Sequence, residues 1–202
     1  MKAVVVGNRP LGSFVIDLIK DCFVVAADAG ADRLLKYNII PDSVVGDLDS
    51  ISDSAATKLD EWIISNKNIQ KTDLEKAVDY ALEKGATNIK VVGWRGGRID
   101  HTIAALGLAF NSKIKLIEEN FTVEAIFEEH LLEGKEGNLF SLVAMPEARV
   151  SVEGARWLLN HEKLKLGGRG IHNEIGPTQR VKIECHSGNL LLFNGKFSSI
   201  HD

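Results

Sequence analysis

Residues Phe23–Asp49 read FVVAADAGADRLLKYNIIPDSVVGDLD. The run Phe23–Asp28 is apolar until it ends on an acid, which predicts a strand covered on both faces. Ala31–Tyr37 predicts a short helix. Ser43–Asp47 predicts a second apolar strand, again ending on an acid. Continuous apolar strands separated by helices predict a parallel sheet with helices on both sides.

The same alternation extends outward in both directions. Upstream, Lys2–Gly7 (KAVVVG) predicts a strand and Phe14–Lys20 a helix. Downstream, Ser52–Trp62 predicts a helix capped by Ser52. Thr72–Lys84 carries the strongest helix signal, with Thr72 as N-cap, Glu75 completing a capping box and Gly85 as the stop. Asn88–Gly93 predicts another strand and His101–Phe110 another helix. The N-terminal part is therefore expected to be an α/β domain with an open parallel sheet. After about Phe127 the pattern changes. Leu139–Ala144, Val150–Val152, Val181–Glu184 and Asn189–Phe193 are short strand-like runs, and Ser187-Gly188-Asn189 suits a hairpin turn. An all-β C-terminal domain is expected there. The polar, glycine-bearing stretch His130–Gly137 divides the chain into domains 1–130 and 131–202.

The formal net charge of −4 argues against a broad basic face for nucleic acid. The two cysteines, Cys22 and Cys185, have no metal-ligand spacing and suit a reducing compartment. The apolar run near the N-terminus is too short for a signal peptide, and no stretch has the length of a membrane span. A cytoplasmic protein without a nucleic-acid or membrane partner is expected.

In open α/β sheets ligands bind at the carboxyl ends of the strands. The predicted strands and loops bring Asp28, Asp47, Asp49, Asp73 and Asp100 to that edge, with Arg95, Arg98 and His101. Crowded carboxylates repel unless a cation joins them, and hard oxygen donors suit magnesium with phosphate oxygens. Arginines can pair bidentately with phosphates. The expectation is a site for a metal-bound polyphosphate, where catalysis works by positioning and charge neutralisation. Each acid also has a structural alternative. Asp73 could merely favour a helix start, Asp100 could cap the following helix, and Asp28 could form a turn. Gly46-Asp47-Leu48-Asp49 has the least structural motive. No P-loop pattern is present.

At these residues the sequence resembles the thiamine pyrophosphokinase family. The likeness lies in Ala27–Leu34, Pro41-Asp42 with Gly46–Ser50, Thr72–Ala77, Gly96–Thr102, Gly168–Ile175 and Gly188–Leu192. It implies an α/β nucleotide domain followed by a β-sandwich. It also implies a homodimer with shared active sites, in which ATP gives its diphosphate to thiamine and AMP leaves. By resemblance, Asp28, Asp47, Asp49 and Asp73 hold magnesium and phosphate. Arg98 meets the nucleotide phosphates, Asp100 and His101 shape the site or meet substrate, and Asn173 forms part of the thiamine and nucleotide wall. Gly97, Gln70, Thr72 and His172 are the further residues expected at the ligands. Gln70 stands where the family often has Asp, and His172 where it commonly has Ser. Two other readings compete: a diphosphokinase for another heterocyclic alcohol such as a hydroxymethylpterin, and a binding module that has lost catalysis.

Overall fold

The structure is a computed structural model and describes residues 1–111 and 113–195. It contains two compact units, one formed by Met1–Leu108 with Lys113–Glu119, the other running on from Asn120.

The first unit holds strands β1 (Lys2–Val6), β2 (Phe23–Ala27), β3 (Ser43–Gly46), β4 (Ile63–Ser65), β5 (Asn88–Val92) and β6 (Ile114–Ile117). Its helices are α1 (Val15–Leu18), α2 (Gly30–Leu35), α3 (Asp53–Lys58), α4 (Asp73–Glu83) and α5 (Ile99–Leu108), with a 3-10 turn at Asp60–Trp62. All strand pairs are parallel, in the order β4-β3-β2-β1-β5-β6. The strands are as apolar as burial on two faces demands: β1, β2 and β3 are covered almost throughout. The strand order reverses between β1 and β5, which opens a crevice at their carboxyl ends. Helix α4 is fixed by its capping box: the Thr72 side chain accepts from the Glu75 N–H, and Glu75 accepts from the Thr72 N–H at 2.9 Å. Its buried face carries Lys76, Ala77, Val78 and Ala81. Ser52 caps α3 by accepting from the Ala55 N–H. Helix α5 starts at Ile99, so Asp100 lies within its first turn instead of capping a helix that starts at His101.

The second unit holds β7 (Phe121–Ile126), β8 (Glu129–Glu133), β9 (Leu139–Glu153), β10 (Leu159–Lys165), β11 (Asn173–Glu174) and β12 (Arg180–Gly195). Every pairing among these strands is antiparallel. The unit begins before the 130/131 division because β7 pairs with β12, and the polar stretch 130–137 itself contributes to β8. Long strands β9 and β12 pair along most of their lengths. On its other edge β12 pairs first with β8, through residues 180–184, and then with β7, through residues 190–195. Phe140, Leu142, Val150, Val152, Ile183, Leu190 and Leu192 from both ends of the two strands share one core. The pair therefore bends over itself around a common interior.

The bend corrects one expectation. Ser187-Gly188-Asn189 is no hairpin turn but a bulge inside β12, with register shifts on either side of it. Gly188 adopts φ +85°, and a Cβ there would stand 2.8 Å from the Ala148 Cα and closer still to the Glu147 carbonyl oxygen. Two apolar runs with an exposed polar gap look like two strands, yet a bulge produces the same pattern. Met145-Pro146, a cis peptide, lies within β9 between its two apolar halves. No described helix is long and apolar enough to cross a membrane.

Gly188→Ala should cost roughly 2–4 kcal/mol of stability, from left-handed strain together with the backbone collision. Urea unfolding of the variant measures this, and a loss under about 0.5 kcal/mol would contradict the bulge geometry.

Candidate active site

Strand β2 delivers Asp28 immediately beyond its end, in left-handed conformation at φ +46°. Asp28 is almost wholly buried, and its carboxylate accepts from the backbone N–H groups of Ser50 and Ile51, both at 3.2 Å. Strand β3 delivers Asp47 immediately beyond its own end. Helix α4 starts on Asp73, whose Oδ1 accepts from the Asp47 N–H at 3.4 Å. The three carboxylates offer oxygen atoms that all lie within 4.8 Å of one another. Gly46 allows this approach, since a Cβ there would come 2.9 Å from the Asp28 Cβ and 3.2 Å from the Asp73 Oδ1.

A lysine balances the acids. Lys76, only 2% exposed, donates from Nζ to the Asp73 Oδ1 at 2.8 Å and to the Asp47 Oδ2 at 3.3 Å. Residues three apart on a helix share a face, so α4 places Asp73 and Lys76 together. Burial works to lower the Lys76 pKa, but the bonds to Asp73 and Asp47 more than offset it and hold the ammonium above its ordinary value. Burial pushes the Asp47 carboxyl up, while Lys76 draws it down to a net value below the usual carboxylate range. Asp28 lies above that range, first because of burial and then because of the Asp73 charge; the Ser50 N–H offsets only part of this. With all three acids ionised, one lysine leaves a net negative charge on the trio. The Asp47 Oδ1 is buried and has no hydrogen-bond partner among the described residues. Clustered hard oxygen donors, residual negative charge and an unpartnered carboxylate oxygen fit a divalent cation held by Asp28, Asp47 and Asp73.

The trio sits in a cleft of about 460 Å³, which Thr72, Arg98 and His101 also line. Other residues expected from the sequence stand differently. Leu48 turns left-handed at φ +69°, so Asp47 and Asp49 do not follow one another along an extended chain. Asp49 is exposed and accepts from the Ser50 hydroxyl at 2.7 Å. Asp100 and Arg98 are exposed and paired bidentately, at 2.6 and 3.1 Å, and the guanidinium lowers the Asp100 pKa to about 2. Arg95 pairs with Glu118 at 3.5 Å. Gln70 is exposed, its backbone N–H donating to the Asn68 Oδ1. Gly97 adopts φ +72° and lies under the guanidinium of Arg9.

In the second unit, His172 adopts φ +65°, and its N–H donates to the Ser141 hydroxyl at 3.0 Å. Asn173 is buried and clasps Trp157: Oδ1 accepts from the Trp157 N–H at 3.1 Å, and Nδ2 donates to the Trp157 carbonyl at 2.8 Å. Asn173 and Trp157 line a groove of about 650 Å³ together with Leu158, Ile171 and His172. Sequence reasoning missed Lys76. For Lys76 the signal was its position three residues after Asp73, beside the apolar Ala77-Val78.

Residues 17–118 match the family model described as thiamin pyrophosphokinase, catalytic domain, and residues 128–190 match that described as thiamin pyrophosphokinase, vitamin B1 binding domain. The chain belongs to the thiamin pyrophosphokinase family. A family relative, the thiamine pyrophosphokinase of Bacillus subtilis, is 28% identical over 165 residues, which cover 75% of this chain and 77% of the relative. Thiamin pyrophosphokinase 1 of Caenorhabditis elegans is 29% identical over 117 residues, 54% of this chain and 46% of that one. The fold is that of the family as well. The crystal structure of the Bacillus subtilis enzyme superposes with a TM-score of 0.81 at 23% identity, covering 98% of this chain and 100% of the other. That of the Candida albicans protein gives 0.81 at 19% identity, covering 96% and 89%.

The balance between Lys76 and the acids is testable by thermal melting. Lys76→Met keeps the bulk and removes the charge, leaving the carboxylates to repel one another. The metal-free variant should be destabilised by about 1–3 kcal/mol, a figure reduced for the partial exposure of Asp47 and Asp73. Magnesium should then raise its melting temperature more than that of the parent. Equal magnesium shifts in both proteins would refute this arrangement.

Proposed function

We propose that this chain transfers a diphosphate group from ATP to the hydroxyl of thiamine, giving thiamine diphosphate and AMP. The observation that carries the reading is the convergence of Asp28, Asp47 and Asp73 on one cleft at the carboxyl ends of the parallel strands. Matches to both a catalytic-domain and a vitamin B1-binding-domain model support thiamine as acceptor over another heterocyclic alcohol.

The bound cation, for which we propose magnesium, would supply neutralisation of phosphate charge. The chain itself supplies placement. Lys76 orients Asp73 and, through its Oδ2, Asp47, and leaves the buried Asp47 Oδ1 without a partner among the described residues. Arg98, steered by Asp100, offers its guanidinium at the cleft wall for the nucleotide phosphates, with His101 beside it. Asp49 lies two residues beyond Asp47 and is assigned to the same charge-handling edge. Gln70 and Thr72 form the approach to α4, where Thr72 fixes the helix start that carries Asp73. Trp157, held by Asn173, offers an aromatic wall suited to the rings of thiamine. Two free cysteines suit a cytoplasmic location.

A homodimer with shared active sites completes the proposal. Trp157, Leu158 and Ile171, which line one groove of the second unit, are about half to two-thirds exposed. Clustered apolar side chains of this size favour association, and two-fold pairing is its commonest form.

Purified protein with ATP, magnesium and thiamine should release AMP and thiamine diphosphate in equal amounts. Formation of ADP, or preference for a hydroxymethylpterin, would falsify the assignment. Asp47→Asn should lower kcat/KM by about 100-fold or more while circular dichroism stays unchanged. Mixing Asp47→Asn chains with Trp157→Ala chains tests the shared site. Each heterodimer should regain one intact site, and activity should exceed the average of the two parents. No gain on mixing argues for sites built within single chains.

A further inference from the structure

We propose that Arg9 grips the polyphosphate of the donor nucleotide, an inference that rests on the transferase reading above. Four cationic side chains line the cleft: Arg9, Lys71, Lys76 and Arg98. Three of them are already paired. Lys71 is bound to Asp79, Lys76 to Asp47 and Asp73, and Arg98 to Asp100. Among the described residues, Arg9 is the cleft cation that has no acidic partner.

Its placement is built in. Arg9 follows β1 at the point where the strand order reverses, the usual ligand crevice of such sheets. Its N–H donates to the Gly93 carbonyl at 3.0 Å, so the backbone is tied to the end of β5. Pro10 restricts the Arg9 backbone further. The guanidinium lies against the Gly97 backbone, where any Cβ would collide with Nη1 and Cζ. Gly97 adopts φ +72°, so both the conformation and the space at this position call for glycine.

A guanidinium held by its stem and one face keeps N–H edges for an anion, and its fork matches phosphate geometry. Arg98 must first exchange its bidentate contact with Asp100 before it meets a phosphate. Lys76 would have to abandon two carboxylates in a buried site. Arg9 faces neither cost. Its contact also distinguishes the donor from the acceptor, since thiamine brings no phosphate to the cleft.

Titration calorimetry with ATP and with adenosine, in magnesium, tests the inference on the parent, Arg9→Gln and Arg9→Lys proteins. Arg9→Gln should weaken ATP binding about tenfold or more and leave adenosine binding unchanged, and Arg9→Lys should restore only part of the loss. Circular dichroism of both variants confirms folding, and the lysine variant keeps the test open should the glutamine variant fail. Unchanged ATP affinity in Arg9→Gln, or equal losses for ATP and adenosine, overturns the assignment of Arg9 alone. A parent protein that binds no ATP overturns the transferase reading itself.

Discussion

A single electrostatic constraint governs the first unit: three carboxylates cannot share a partly buried space unless something offsets their repulsion. Lys76 provides part of that offset from inside the fold, and the dependence runs both ways. A lysine 2% exposed is costly unless its ammonium is paired, so Lys76 needs Asp47 and Asp73 as much as they need it. The lysine answers only one of the three negative charges. The remainder suits the site to the cation proposed above, and the pKa of Asp28 is raised first by its burial and then by the charge of Asp73.

The scaffold makes this concentration of charge possible by fixing backbone first. Asp28 and Asp47 stand just past parallel strands buried on both faces, so neither can retreat without disrupting the sheet. Gly46 removes the one Cβ that would hold Asp28 and Asp73 apart. The capping box of α4 fixes where that helix begins, and so fixes the register that puts Asp73 and Lys76 on one face. Charge is crowded where packing and caps hold it, and the cations of the loops are arranged around it.

The acids of the site were legible because an apolar strand that stops on an aspartate leaves a pattern visible in one dimension. Lys76 was not legible in that way. A lysine in an amphipathic helix ordinarily lies on the solvent side, and only the packing of α4 on the sheet shows that its face is inward. Asp49 lies close to Asp47, but the left-handed Leu48 breaks the extended chain between them, and Asp49 is the exposed member of the pair. In the second unit the apolar runs of β9 and β12 were visible, but their continuity was not. A bulge exposes polar residues just as a turn does, and only pairing to a second strand tells the two apart. Strand β10 has four consecutive polar residues, Asn160-His161-Glu162-Lys163, and is interrupted by the left-handed His161, so it carried little signal. Asn173 was expected in the thiamine and nucleotide wall, and the partner of its amide, the Trp157 backbone, leaves no mark in the sequence.

The ion pairs of the cleft also bear on how it can admit a polyanion. A site lined with unpaired cations would bind phosphate strongly but would also attract its own carboxylates and collapse. Here Lys71 and Arg98 are themselves exposed, so exchange of one anion for another occurs in water and costs little. Lys76 is itself buried against the partly exposed Asp47 and Asp73, so exchange is expensive and it remains structural throughout. Burial therefore sorts the cations by role: the buried one maintains the carboxylates, the exposed paired ones can be recruited, and the one lying on Gly97 needs no exchange before it meets a phosphate. On this reading a polyphosphate pairs with Arg9 without exchange and with Arg98 by displacing Asp100, while the carboxylate trio keeps its geometry.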